Sequence, residues 1–187
     1  ANEFYCVTIQ ASIVASSNIV SRDLWINMDK ARNFGSGWIH FGTISSLMIK
    51  NPDYKPYCIA EPLFILRQGE VRWVKGGNLF IMSINLLEIF SKMKINGYSS
   101  NIINKLTDTV EKNLAVTIIS SKINGLKIDY PLFKKSFRYL KFLSLFWVLY
   151  LPLMLIPQVF FNKKSIDIVK KIIQIMQKFL ERDLTLR

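Results

Sequence analysis

This chain is poor in side chains that bind metals or carry redox chemistry. Its 187 residues include two cysteines and one histidine. Cys6 and Cys58 fit no metal-ligand spacing and are too few for a disulfide framework, so sulfur-bound metal is not expected and a reducing cytosolic setting is. Acidic residues are scarce as well: 13 Asp and Glu stand against 25 Lys and Arg, giving a net charge of +12. A partner of negative sign follows, whether nucleic acid, nucleotide phosphate or anionic lipid. Neither a glycine-rich phosphate loop, a serine nucleophile elbow, a zinc-ligand pair nor an RNA-binding aromatic motif occurs. The opening Ala1-Asn2-Glu3-Phe4 has no basic n-region, and no signal peptide is read there. What the chain does have is apolar mass: half of its residues are hydrophobic and 13% are aromatic. That excludes a disordered tail and suits one domain with a core, or a domain plus an appendage.

Three regions are expected. In the first, residues 1–75, the short β-branched runs Tyr5 to Ile9 and Ile13 to Val20 read as strands. Ser21 to Trp25 reads as a turn or short helix. After the loop Asn33 to Gly37, apolar residues at Ile39, Phe41, Ile44, Leu47 and Met48 predict an amphipathic helix over Trp38 to Ile49. Asn51 to Pro56 ends it, and Tyr57 to Leu66 reads as a further strand, placed at an edge or bend by Pro62. The strand–helix–strand order predicts one sheet pairing Ile13–Val20 with Tyr57–Leu66 under that helix. The second region, 76–133, reads as two helices split at Asn96-Gly97, with Asn78 capping the first and Ser99 or Ser100 the second. Leu79 to Ile95 is apolar on nearly every side, so that helix is expected between other elements or against a membrane.

The third region, 134–187, is expected to associate with a membrane. No charged residue occurs from Phe142 to Phe161, about the length of a bilayer-spanning run. Pro152 and Pro157 interrupt it, each removing a backbone donor, so a straight spanning helix is not expected. Lys134, Lys135, Arg138 and Lys141 precede the run and Lys163 and Lys164 follow it, while Trp147 and Tyr150 lie inside it. A re-entrant or interfacial helix pair with both ends at one anionic leaflet fits this pattern. A helix starting at Ser165 gathers Ile166, Ile168, Val169, Ile172, Ile173, Ile175, Met176, Phe179, Leu180 and Leu184 on one half of its wheel. Asp167, Lys170, Lys171, Gln174, Gln177, Lys178, Glu181 and Arg182 fill the other. Such a helix packs on its own domain or lies on a membrane surface. The expected membrane contacts are Trp147, Tyr150, Lys163, Lys164, Lys170 and Lys171.

The one histidine, His40, opens the Trp38 helix just after a glycine-containing loop. The bland reading is a structural histidine; the other is a general base, since imidazole takes a proton from a hydroxyl near neutral pH. The order of parts around it carries a resemblance. Ala11 to Trp25 with its Ser16-Ser17, then Gly37-Trp38-Ile39-His40, then Glu61-Pro62-Leu63-Phe64-Ile65-Leu66-Arg67 and Trp73, resemble the second half of family 2 glycosyltransferases. Within that family they look most like the abequosyltransferase-type O-antigen enzymes. The resemblance covers roughly residues 10 to 75.

The resemblance implies an α/β fold with a partial GT-A-like sheet, followed by the helical membrane-associating region. It implies inverting transfer of a sugar from a nucleotide-sugar donor to a glycan or lipid-linked acceptor in bacterial surface polysaccharide synthesis. By the same resemblance His40 stands where the family's base region lies, Arg67 would contact the donor diphosphate, and Trp38, Arg72 and Trp73 would line the acceptor site. The relatives carry a nucleotide-binding half and an Asp-x-Asp metal site before this region, and neither occurs in these residues. The chain is therefore expected to be the C-terminal part of a longer enzyme, inactive alone, whose Mg or Mn ligands lie elsewhere. It is expected peripherally on the cytoplasmic face of the inner membrane. The alternative from another class is a non-enzymatic membrane-associated adaptor. A nucleic-acid partner is not expected, because the basic residues cluster beside apolar runs rather than among exposed aromatics on a strand.

Overall fold

The structure, a computed structural model, describes residues 20–28, 33, 36–51, 53, 78–172 and 175. The regular elements there are helical: α1 (Arg22–Asn27), α2 (Ile39–Lys50), α3 (Asn78–Ile95), α4 (Ser100–Ile123) and α5 (Tyr130–Leu140). A π-helical turn, Phe146–Tyr150, runs straight into α6 (Leu151–Leu155) and is followed by a 3-10 turn, Gln158–Phe160. A last helix, α7, covers 163–172. Among the described residues no strand occurs, and the α/β expectation with its GT-A-like sheet is overturned in favour of an all-helical architecture. The physical reason lies in the described residues themselves: their buried positions recur at helical spacing, as at Phe41, Ser45 and Met48 in α2, rather than at the period of two that a sheet face needs. The runs Tyr5–Ile9, Ile13–Val20 and Tyr57–Leu66, with the sheet pairing proposed for them, lie outside the described residues apart from Val20, which is in no strand.

The helix expectations fare differently. Ser21 leads into α1, α2 spans the stretch expected from Trp38, and α3 and α4 are divided at Asn96-Gly97. Gly97 has φ +101°, and the N–H of Tyr98 bonds to Met93 O while that of Gly97 bonds to Lys94 O. This reverse-turn cap needs a left-handed residue, which glycine supplies without a Cβ clash. Gly125 (φ +98°) ends α4 in the same way, with Leu126 N to Ser121 O and Gly125 N to Lys122 O. Ser99 Oγ accepts from Ile102 N at 3.4 Å at the start of α4. Asp129 accepts from Leu132 N at 2.9 Å to cap α5.

The chain divides into two compact units: Ala1–Glu70 with Met82–Glu111, and Val71–Ile81 with Lys112–Arg187. In the first, α2 buries Phe41, Ser45 and Met48 at helical spacing. The α3 portion buries Ile84, Leu86, Leu87, Ile89, Phe90 and Met93, which accounts for its apolar character all round. Each such fully buried side chain contributes about 1.5–3 kcal/mol. Phe41 meets Phe90 edge-on at 6.1 Å. The Tyr98 hydroxyl donates to Ser45 O at 2.8 Å. In the second unit, α4 buries Leu114, Ala115, Ile118 and Ile119. Ser121 on that helix accepts from Phe80 N at 3.0 Å, satisfying one of the open donors at the start of α3.

Candidate functional site: an apolar, basic-flanked face

In the second unit the twenty-residue uncharged run is folded into pieces, and they present two kinds of face. Along 146–155, Phe146, Leu149, Tyr150, Leu153 and Met154 are buried. The other side carries Trp147 and Val148, 62% and 69% exposed, then half-exposed Leu151, exposed Pro152, and Leu155 at 62%. A helix face turned to water is normally polar. This one is built of apolar side chains.

The α5 helix anchors the run. Phe137 meets Phe146 edge-on at 5.3 Å and Trp147 at 5.9 Å, and Phe146 meets Trp147 at 5.0 Å. These contacts fix where the Trp147 ring sits while leaving most of it in solvent. Beyond α6, Ile156 and Pro157 are extended, with ψ 128° and 147°, and the 3-10 turn then places Val159 and Phe160 at 82% and 70% exposure. At the other end of the run, Phe142 is also exposed, under the Lys141 ammonium 4.9 Å from its ring centroid.

Basic residues flank this face on both sides. Residues 130–172 hold eight Lys and Arg against one acid, Asp167. Lys134, Arg138, Lys141, Lys163, Lys164, Lys170 and Lys171 are exposed. The α7 helix begins at 163, earlier than the expected Ser165, because Asn162 caps it: Asn162 Oδ1 accepts from Ser165 N, and Ser165 Oγ accepts from Asn162 N. Lys163 and Lys164 thus stand in its first turn, where the helix dipole disfavours cations, so helix stability does not account for them. Of the expected apolar half of this helix, Val169 is buried, while Ile168, Ile172 and Ile175 form an exposed stripe at i, i+4 and i+7. Residues 173–174 and 176–187 lie outside the described residues, and Ile173, Met176, Phe179, Leu180 and Leu184 with them.

Of the expected membrane contacts, Trp147, Lys163, Lys164, Lys170 and Lys171 are at the surface, and Tyr150 is not. At 1% exposure Tyr150 belongs to the core, because it falls on the same side of the helical segment as Phe146, Leu153 and Met154.

The first unit holds what can be described of the expected sugar-transfer site. His40 is exposed and its ring stacks on Trp25, centroids 5.2 Å apart and planes 12° from parallel. Trp38 is half-buried and donates its indole N–H to Met82 O at 2.7 Å, so its polar edge is committed to packing. Arg67, Arg72 and Trp73 lie outside the described residues. A cleft lined by Asn33, Gly42, Ser46, Ile89, Lys92, Met93 and Asn96 encloses about 10 Å³, room for one water at most, and His40 does not border it. Among the described residues no group of His, Cys, Asp and Glu suits the divalent metal that the glycosyltransferase resemblance implies.

One residue that the sequence reading passed over stands out in the second unit. Lys122 is 3% exposed. Its ammonium donates to Met154 O at 2.7 Å and Ile156 O at 2.6 Å and lies 5.1 Å from the centroid of Phe161. Burial lowers its pKa from 10.5 to about 8. A signal for it existed: Lys122 falls at helical spacing from the apolar Ala115, Ile118 and Ile119, where a solvated lysine does not belong. Next to it an open cleft of about 520 Å³ is lined by Ile123, Gln158, Val159 and Phe161.

No protein family matches this chain, and no curated protein or solved structure is significantly similar to it.

Proposed function

We propose that the chain docks peripherally on an anionic membrane surface through the second unit, acting as a membrane-associated helical module. The observation that carries this reading is the outward side of 146–155: Trp147, Val148, Leu151, Pro152 and Leu155, set between clusters of exposed lysine and arginine. Exposed apolar residues scattered singly need no explanation, but a concentration of this kind marks an interaction surface. The basic flanks specify the chemistry of what covers it, because apolar burial and attraction to anionic headgroups act together at a lipid interface. Crossing the bilayer is not part of the reading. Among the described residues no helix is long and apolar enough to cross a membrane, and one side of 146–155 is already committed to the protein core.

Co-sedimentation with vesicles tests it. Recovery with phosphatidylcholine–phosphatidylserine vesicles is expected to be high at low salt and to fall as salt screens the basic flanks. Equal amounts in the supernatant with and without vesicles would remove the proposal.

A second reading, sugar transfer with His40 as general base, is favoured by one observation: the imidazole is solvent-exposed rather than sealed in the core. It applies to a longer protein that supplies the donor site. There His40→Ala would lower kcat by about 10²–10⁴ with donor affinity nearly intact. A variant keeping more than about half of the wild-type kcat assigns His40 to structure alone.

A further inference from the structure

The membrane reading leaves open which part of the second unit enters the lipid. Three observations converge on the segment from the last residue of α6 to the 3-10 turn. Of its large side chains, Leu155, Val159 and Phe160 are mostly exposed, while Ile156 is 37% exposed. Part of the backbone hydrogen bonding around it is met internally. Ile156 N bonds to Pro152 O, Phe160 N to Pro157 O and Phe161 N to Gln158 O. The carbonyls of Met154 and Ile156, left open where the helix stops, take the Lys122 ammonium. Lipid supplies no hydrogen bonds, so a segment that enters it needs this kind of internal pairing.

The third observation is spacing. Lys163 and Lys164 follow Phe160 by three and four residues, a reach of about 10–14 Å in extended chain. That places their ammonium groups in the headgroup layer when Phe160 sits at the shallow depth of about 5–10 Å usual for interfacial segments.

Resting on the membrane-docking reading, we infer that residues 155–160 form the wedge that enters an anionic phospholipid bilayer, and that Lys122 is the positioning residue that holds the wedge in its inserting shape. Lys122 lies inside the unit and does not meet lipid itself. It replaces the amide donors that a continuing helix would have offered to Met154 O and Ile156 O, so the chain can turn out of α6 without leaving those carbonyls bare. The anionic lipid is fixed as the occupant by charge: the charged residues that flank the uncharged run in sequence are lysine and arginine, with Asp167 the one acid over 130–172.

The test uses the full chain with Cys6→Ser and Cys58→Ser and one introduced cysteine carrying an environment-sensitive fluorophore. With phosphatidylcholine–phosphatidylserine vesicles, the label at Val159→Cys is expected to shift to the blue and gain intensity several-fold, while a label at Asn113→Cys on exposed α4 surface stays unchanged. Adding Lys122→Met should abolish most of the Val159 response yet preserve that of a label at Ile168→Cys, which general unfolding would not do. Where Lys122→Met fails to fold, Lys122→Gln, shorter and neutral, makes the same comparison. Protein that sediments with vesicles while the Val159 label remains in water overturns the wedge and leaves the docking reading standing. Protein that does not sediment overturns both. A Val159 response unchanged by loss of the Lys122 amine overturns the positioning role.

Discussion

Lys122 reaches across 32 positions of sequence to donate its ammonium to the carbonyl oxygen of Met154 at 2.7 Å. With Ile156 O at 2.6 Å and the Phe161 ring beside it, carbonyl dipoles and a π face surround a cation in the interior of the second unit. Burying a charge is costly, and a helix end left with bare carbonyls is costly too; here each offsets part of the other's penalty.

The lowered pKa gives this arrangement a pH signature. Burial brings Lys122 from 10.5 to about 8, so between those values the unfolded chain holds a proton that the folded chain has released. Stability is therefore expected to rise with pH across that window and to be flat below it as far as this group is concerned. The neutral amine keeps two donors for the two carbonyls, so deprotonation leaves the contact in place. Denaturant midpoints measured through the window should climb in the wild type relative to Lys122→Arg, whose charge persists throughout. Parallel curves for the two proteins would show that Lys122 keeps its ordinary pKa.

Exposure separates folding from docking at Trp147 and Leu155. Replacing both with serine removes little from the core, and the thermal midpoint is expected to move by no more than the equivalent of about 1 kcal/mol. Vesicle affinity should fall by about thirtyfold or more, since each of the two side chains buried in lipid contributes on the order of 1–2 kcal/mol. A large loss of stability together with unchanged vesicle binding would assign these residues to the fold instead.

The elements legible in the sequence were those whose ends and faces are set locally. Asn96-Gly97 marked the break between α3 and α4 because a left-handed glycine is required there, and the apolar character of Leu79–Ile95 announced a helix buried on most of its surface. The uncharged run and its basic flanks were readable for the same reason: periodicity and charge are properties of the chain itself. Three features were not legible. The absence of a strand among the described residues was not legible, because β-branched runs elsewhere in the chain suggest a sheet by composition. The burial of Tyr150 was not legible because the stretch from Phe146 to Leu155 has no polar residue to tell its buried side from its exposed one. Lys122 was overlooked because its partners, Met154 and Ile156, are remote in sequence and offer only backbone atoms.

Gly42 in α2 illustrates a packing constraint that composition does not reveal. A Cβ at this position would stand 2.7 Å from Asn33 Oδ1 and 2.9 Å from its Cγ. Asn33 is buried and donates to Thr43 Oγ1 at 3.2 Å, so it cannot move aside freely. Gly42→Ala gains about 1 kcal/mol of helix propensity, but overpacking costs about 1–3 kcal/mol and the strained hydrogen bond about 1 more. A net destabilisation of about 1–3 kcal/mol is expected. In an Asn33→Ala background the clash disappears, and the same substitution should become neutral or stabilising in a double-mutant cycle.

The lysines at the start of α7 give the sharpest division between electrostatic and apolar contributions to docking. Lys163 and Lys164 are exposed and sit where the helix dipole opposes them, so neutralising both as glutamine is expected to leave α7 intact or slightly firmer. A basic residue near an anionic leaflet contributes about 1 kcal/mol, so losing two should weaken binding to phosphatidylserine-containing vesicles by about thirtyfold. Binding to purely zwitterionic vesicles should be weak in both proteins and nearly equal, and the salt dependence of the variant should be shallower, because fewer interactions remain to be screened. Serine substitution of Trp147 and Leu155 should lower binding at every salt concentration without changing that slope. If the lysine variant instead kept its affinity for anionic vesicles and its full salt dependence, the cations that meet the membrane would have to be those on the α5 side of the run, Lys134, Arg138 and Lys141, and docking would pivot about Phe142 rather than about the turn that leads into α7.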